Sequence, residues 1–358
     1  MIHLSEPDVG QRERAYVTAA LMDRQLSAGK FVDRLEDAWA ERCGVRHAVA
    51  CASGTAALHL NMLALGVRRQ QDVIVPATTY IATANAVAYC GGRVRVADVG
   101  PLTWTITPAS VLAAATPETV GVIAVHLYGQ PADMPGLRQL CQERHWWLVE
   151  DAAEAHGATL YGRPIGSLGD MAAFSFYGNK IIAAGEGGMA LTDDDALAQR
   201  IYQYRGQAVD PQRKYWHTGV GYNYRMPELS AAVALAQTER LAELLAHRAE
   251  IAAWYRAALP EITGSWARIT GVHWLAVGLL PNGVARDPVM VGLERAGIET
   301  WPIFPPLTWQ PPYRTACLPG QTFPVAQDLY RRGLCLPLHT GLTRDDVEYI
   351  ATEVRRWL

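Results

Sequence analysis

Short, almost uninterrupted apolar runs recur along the first half of the chain. They lie at 47–51 (His-Ala-Val-Ala-Cys), 73–76, 94–97, 121–126, 146–149, 171–176 (Met-Ala-Ala-Phe-Ser-Phe) and 189–192. Runs of that length, rich in β-branched residues and lacking polar alternation, predict strands buried on both faces. Between them lie stretches with helical character at 11–22, 32–43, 56–65, 77–85, 108–115, 134–143 and 196–204. Strands alternating with helices in this rhythm predict a doubly wound α/β sheet, mixed but mostly parallel. A polar, glycine-bearing loop at 207–220 follows. A long helix is then expected over 229–259, with Pro227 suited to its first turn and Glu228 favoured there by the helix dipole. That helix is the expected boundary between a large α/β domain, 1–240, and a small α+β domain, 241–358. In the latter the pattern predicts a strand within 272–280, a helix over 288–296 closed by Gly297, and a last helix after Thr343, where Asp346 completes a capping box.

With 358 residues, half of them apolar, the chain can bury an extended core. A net charge of −3 with no basic stripe argues against nucleic acid as a partner. The six cysteines lie scattered, without metal-ligand spacing, and read as reduced core thiols. The first residues lack the basic and apolar regions of a signal peptide, and no apolar stretch reaches membrane-spanning length, so the expectation is a soluble cytoplasmic protein with no membrane partner and no metal.

Candidate chemistry sits where predicted strands end. The run at 146–149 continues into Glu150-Asp151, so Asp151 falls at the carboxyl edge of the sheet, where open α/β folds bind ligands. The run at 171–176 ends in Tyr-Gly-Asn-Lys, which brings Lys180 to a tight turn at the same edge. A lysine that can hold pyridoxal phosphate as a Schiff base, facing an acid that keeps its pyridine nitrogen protonated, suits that cofactor. The same two residues also suit a structural ion pair. Ser53-Gly54-Thr55, between a strand and a helix, makes either a phosphate cup or an ordinary helix cap. Tyr80 is either an aromatic plate for a ligand ring or a core tyrosine. His126 in His-Leu-Tyr-Gly is either a hydrogen-bonded structural residue or a catalytic one, and Lys30 in a Gly-Lys turn reads as an exposed lysine.

The segments E-D-A-A-x-A-x-G at 150–157, F-S-F-x-x-N-K at 174–180 and G-E-G-G-M at 185–189 choose among these readings. In them, and collinearly from Leu4 to the C-terminus, the chain resembles the DegT/DnrJ/EryC1/StrS family of pyridoxal-phosphate-dependent sugar aminotransferases. The resemblance implies the type I aminotransferase fold, with Lys180 and Asp151 as catalytic residues. It implies that Gly54, Thr55 and Ser175 hold the cofactor phosphate, that Tyr80 stacks on its ring and that Glu154 lies beside it. Asn223 would come from the neighbouring subunit of a homodimer with shared active sites, and Arg225 and Lys30 would lie nearby. The cofactor would alternate between pyridoxal and pyridoxamine phosphate, taking the amino group from an amino acid, by family usage L-glutamate, and passing it to a keto sugar.

Glu154, with the Gly-Asn-Lys-Ile-Ile run, resembles the GDP-perosamine synthase-like subgroup and implies a nucleotide-linked 4-keto-6-deoxy sugar as acceptor. Where the family usually has arginine and histidine this chain has Trp301 and Thr308, which leaves open an acceptor without the usual diphosphate, such as a keto-cyclitol or another non-nucleotide keto sugar. A reading of another class, a catalytically silent cofactor-binding regulator, needs an incomplete site, whereas Asp151, Ser175 and Lys180 are all present. The family's dehydratases replace the lysine with histidine, and Lys180 argues against that branch.

Overall fold

The computed structural model describes residues 1–265 and 271–358. Two helices, α1 (Gln11–Met22) and α2 (Lys30–Cys43), precede a wound region of β1 (His47–Cys51), α3 (Gly54–Ala64), β2 (Asp72–Pro76), α4 (Ala82–Tyr89), β3 (Arg93–Ala97), α5 (Pro108–Ala114), β4 (Thr119–Val125), α6 (Met134–Arg144) and β5 (Trp147–Asp151). A short hairpin of β6 (Thr159–Leu160) and β7 (Arg163–Pro164) leads to β8 (Met171–Ser175), β9 (Gly188–Thr192) and α7 (Asp195–Arg205). After α8 (Glu228–Glu239) and α9 (Leu241–Ala258) come β10 (Thr263–Gly264), β11 (Ala276–Leu279), α10 (Arg286–Arg295), β12 (Trp301–Pro302), α11 (Pro324–Arg332), β13 (Gly333–Leu336) and α12 (Arg344–Arg355).

The large sheet has the order β1-β9-β8-β5-β4-β2-β3, and its strands are buried along most of their length, as the apolar runs require. Only β9 runs against its neighbours; β5 is parallel to both β4 and β8. The reversal brings the first residue of β9 to the edge where the others end, so Gly188 pairs with both Cys51 and Ser175. Asp151, at the end of β5, lies opposite Ala173 at the same edge.

A second core forms around the small antiparallel sheet, order β10-β11-β13-β12, from residues such as Ile251, Tyr255, Leu293, Ile350 and Val354. The N-terminal residues reach into this part, since Ile2 bridges Ile298 and Leu338 donates its N–H to the Leu4 carbonyl. Thr343 and Asp346 make the expected capping box on α12. The helix expected over 229–259 is instead two helices with a break at Arg240. Arg240 there binds Asp8 at 3.2 Å and Glu13 at 3.1 Å, contacts from the other end of the sequence that no local pattern announces.

Glu228 does more than favour its own helix. Its buried carboxylate accepts the N–H groups of Phe31 (2.7 Å) and Val32 (3.1 Å), capping α2 from a distance, and a Cβ at Gly29 would stand 2.7 Å from it. Two charge-assisted bonds to otherwise unpaired first-turn donors make this a strong tie between α2 and α8. Glu228→Ala is expected to lower stability by about 2 kcal/mol, with Glu228→Gln losing less because one acceptor oxygen remains. A urea unfolding midpoint unchanged in Glu228→Ala would contradict the assignment.

Candidate active site

At the carboxyl edge of the large sheet lies a cavity of about 540 Å³, roofed by residues of the smaller part of the molecule. Gly54, Thr55, Tyr80, Asp151, Glu154, Ser175, Lys180 and Trp301 all line it. One end is formed by the start of α3. A Cβ on Gly54 would stand 2.6 Å from the Ser175 Cβ, and one on Gly188 would collide with the Ser53 carbonyl, so the strand-to-helix turn is pressed against β8 and β9. Ser53 caps the helix by accepting the Ala56 N–H at 3.1 Å. The N–H groups of Gly54 and Thr55 precede the first intrahelical bond, and with the Ser175 hydroxyl nearby they form a cradle for an anion at the positive end of the helix dipole.

The other end holds the acids. Asp151 is buried, accepts the Thr83 hydroxyl at 2.7 Å and the Ala153 N–H at 3.2 Å, and burial raises its pKa against those bonds and the Lys180 charge. Glu154 accepts the Tyr128 N–H at 2.6 Å and lies 3.9 Å from the Lys180 amine. Burial pushes Glu154 up to about 7, opposed by the lysine charge. Lys180 is held below the ordinary lysine range by burial, with Glu154 and Asp151 pulling the other way. An anion cradle, a buried acid and a buried amine of lowered basicity are the donor set that pyridoxal phosphate requires for its phosphate, ring nitrogen and aldehyde. The residues fit that group.

Several histidines and acids beside the cavity are structural. Ala132 donates its N–H to His126 Nδ1 at 3.1 Å, so Nε2 carries the proton and donates to Glu150 at 3.0 Å. Burial alone would raise Glu150, but His126 and the N–H groups of Gly166 and Gly169 hold it below the usual range. His126 thus takes the structural alternative. His156 donates from Nε2 to the Ser175 carbonyl at 2.8 Å and is depressed to about 3 by burial among Trp39, Phe174 and Phe176. It acts as a neutral strut beneath the Ser175 end of β8.

Four residues expected near the site do not line this cavity. Lys30 is exposed and paired with Asp23 at 2.6 Å, because the Gly29-Lys30 turn serves the Glu228 cap instead. Thr308 falls in a one-turn 3-10 helix anchored by the Leu307 N–H on the Ala77 carbonyl, outside the lining. Asn223 borders a neighbouring open recess that shares Ser53 and Thr55 with the cavity, and Arg225 bonds to Asn223 at 3.1 Å. Conversely, Trp274, Phe304 and Tyr128 were not foreseen as site residues. Tyr128 sits in the His-Leu-Tyr-Gly segment with a positive φ of 51°, and its ring lies between Trp274 (5.8 Å) and Phe304 (5.4 Å), nearly parallel to both. The three rings come from segments far apart in sequence, so no local pattern marks them.

The model of the DegT/DnrJ/EryC1/StrS aminotransferase family matches residues 7–355. The chain is 42% identical to the GDP-perosamine synthase of Caulobacter vibrioides over 98% of its own length and 96% of that protein's. It is 36% identical to the GDP-perosamine synthase of Vibrio cholerae, covering 100% of this chain and 99% of the relative. Among solved structures, the aminotransferase TlmJ from Streptoalloteichus hindustanus superposes with a TM-score of 0.93 at 30% identity, covering 99% of this chain and 98% of that one.

The raised Glu154 carboxyl makes stability depend on pH. The folded chain binds this proton more tightly than the unfolded chain, so its contribution is complete below the ordinary value of 4.5 and fades as pH rises to about 7. Glu154→Gln carries no such proton. The cofactor-free wild type is therefore expected to lose stability relative to Glu154→Gln across that window, with a constant difference above it. Chemical denaturation at a series of pH values reads this directly, and a flat difference from pH 4 to 8 would contradict it.

Proposed function

The chain belongs to the DegT/DnrJ/EryC1/StrS family and is a pyridoxal-phosphate-dependent sugar aminotransferase, and on that premise we propose that it transfers an amino group from L-glutamate to a GDP-linked 4-keto-6-deoxy sugar. The acceptor follows the GDP-perosamine synthases to which it is similar along nearly its whole length. The observation that carries the residue assignment is the shared cavity, in which a cradle, a buried acid and a buried amine face one space. When bound, pyridoxal phosphate would supply the electron sink and the carrier for the amino group.

In this reading Lys180 binds the cofactor through its amine and moves the proton at the donor Cα. Its lowered basicity leaves the amine unprotonated at a lower pH than an exposed lysine, as a general base requires. Asp151, oriented by Thr83 and Ala153, would keep the ring nitrogen protonated. The first turn of α3 and Ser175 would hold the phosphate, Tyr80 would offer its face to the ring, and Glu154 balances the lysine charge. Residues 1–240 form the cofactor-binding domain and 241–358 a smaller domain over the cavity mouth, a division consistent with the second core.

Among the described residues that line the cavity Lys180 is the one cation, beside Asp151, Glu154 and Glu186. A sugar diphosphate calls for positive charge beyond that lysine. In our reading the protein is a cytoplasmic homodimer in which Asn223, bordering the adjoining recess, and Arg225, bonded to it, reach the site of the partner copy. Trp301 at the mouth, 40% exposed, favours as second reading an acceptor without a diphosphate, held against the indole face. Parallel assays with a GDP-linked keto sugar and with a keto-cyclitol separate the two.

Purified protein is expected to be yellow, Lys180→Ala colourless, and glutamate alone should bleach the wild-type band. A wild type that gains no visible band on addition of pyridoxal phosphate would sink the assignment. For shared sites, Lys180→Ala and Asn223→Ala are each expected to have little activity, and their mixture after subunit exchange to regain part of it. No recovery in mixed dimers would place Asn223 outside the partner's site.

A further inference from the structure

Lys180 is covered on one side by a residue that neither charge nor sequence pattern singles out. Its amine lies 3.7 Å from the ring centroid of Trp274. The indole N–H of Trp274 donates to the carbonyl of Asn179, the residue just before the lysine, at 2.7 Å. The indole also stacks on Tyr128, whose N–H is bound by Glu154 and whose hydroxyl accepts the Phe304 N–H at 3.2 Å. From below, the buried guanidinium of Arg248 binds the Trp274 and Leu338 carbonyls, both at 3.0 Å. The ring is thus fixed at its edge, its face and its backbone.

Resting on the assignment of Lys180 as the cofactor-binding lysine, we propose that Trp274 is a positioning residue that holds the free Lys180 amine in the cavity whenever it is not bonded to the cofactor. A lysine side chain has four rotatable bonds, and an amine that wanders between half-reactions returns slowly to the reacting carbon. A carboxylate placed as close as this ring would fix the ammonium but also keep its proton. An aromatic face attracts the cation and offers no site for the proton. Glu154 at 3.9 Å and the more distant Asp151 supply the negative charge, Glu186 lines the same cavity, and His156 beneath is buried and neutral. The ring centres the amine among these groups, and the Asn179 bond makes it move with the turn that carries the lysine.

The chain has only three lysines, so lysine labelled with ¹³C at Cε gives three resolvable signals. Lys30 and Lys214 lie over Phe31 and Tyr215 rather than over indoles and serve as internal references. The full chain, loaded with pyridoxamine phosphate so that the Lys180 amine is free, is titrated with its tryptophans replaced by fluorotryptophans of rising fluorine content. Withdrawing electrons from the ring face should lower the Lys180 midpoint stepwise, by about one unit at full ring fluorination, while the other two stay fixed. Trp274→Leu should give a similar drop, and Trp274→Phe, which keeps a face but loses the N–H, a smaller one with a broader Lys180 signal. A Lys180 midpoint indifferent to fluorination, or one that moves together with Lys30 and Lys214, overturns the proposal. Failure of the cofactor assignment reads out separately, as colour retained in Lys180→Ala.

Discussion

One ammonium is kept among carboxylates with little of its side chain exposed, and the neighbouring structure is arranged around that constraint. Burial lowers the basicity of Lys180 and raises Asp151 and Glu154, so each group is moved towards neutrality by the same loss of solvent. The opposite charges restrain those shifts. The result is a set of groups in which protons move at modest cost, the property that transamination demands of its protein. Thr83, Ala153 and Tyr128 each bind one carboxylate oxygen, so the acids cannot turn towards each other or towards the lysine at random.

The sheet meets this requirement by reversing a single strand. With β9 antiparallel, a glycine at its start lies between the ends of β1 and β8, and the absence of a side chain at Gly188 lets the Ser53-Gly54 turn sit directly on the edge. That brings the free N–H groups of α3 to one end of the cavity while β5 delivers Asp151 to the other. His156 serves the same geometry, tying the Ser175 carbonyl beneath the cradle. The anion end and the acid end are therefore spaced by strand register, which is set by the core and is insensitive to loop motion.

This register is also why so much of the site was legible beforehand. Asp151 and Lys180 follow largely apolar runs, which place both at the carboxyl edge of the sheet, while Gly54, in a turn after another such run, reads as either a phosphate cup or a helix cap. The residues that escaped notice act over long separations. Glu228 caps a helix nearly two hundred residues earlier, and Trp274 reaches Lys180 from the smaller part of the molecule. The break at Arg240 carries neither glycine nor proline; it is held by Asp8 and Glu13 from the N-terminal segment. Such contacts depend on the completed fold, and a sequence read locally carries no trace of them. The family resemblance supplied roles for Tyr80, Ser175 and Asn223 that their local patterns left undecided.

Charge balance carries the argument to the second copy. Among the described lining residues acids outnumber the one lysine, so a phosphate seated in the cradle would rely on the positive potential that α3 supplies through its backbone. A substrate diphosphate would bring further negative charge to a cavity that Trp301, Phe304 and Glu186 also line. The nearest unspent polar surface is the recess bordered by Asn223 and flanked by Arg225, which opens beside the cradle and shares Ser53 and Thr55 with it. In the proposed dimer, two copies joined across that recess would add Arg225 to the charge that the described lining residues supply. Specificity for a charged nucleotide sugar would then be a property of the assembly, whereas the chemistry at Lys180 belongs to the single chain.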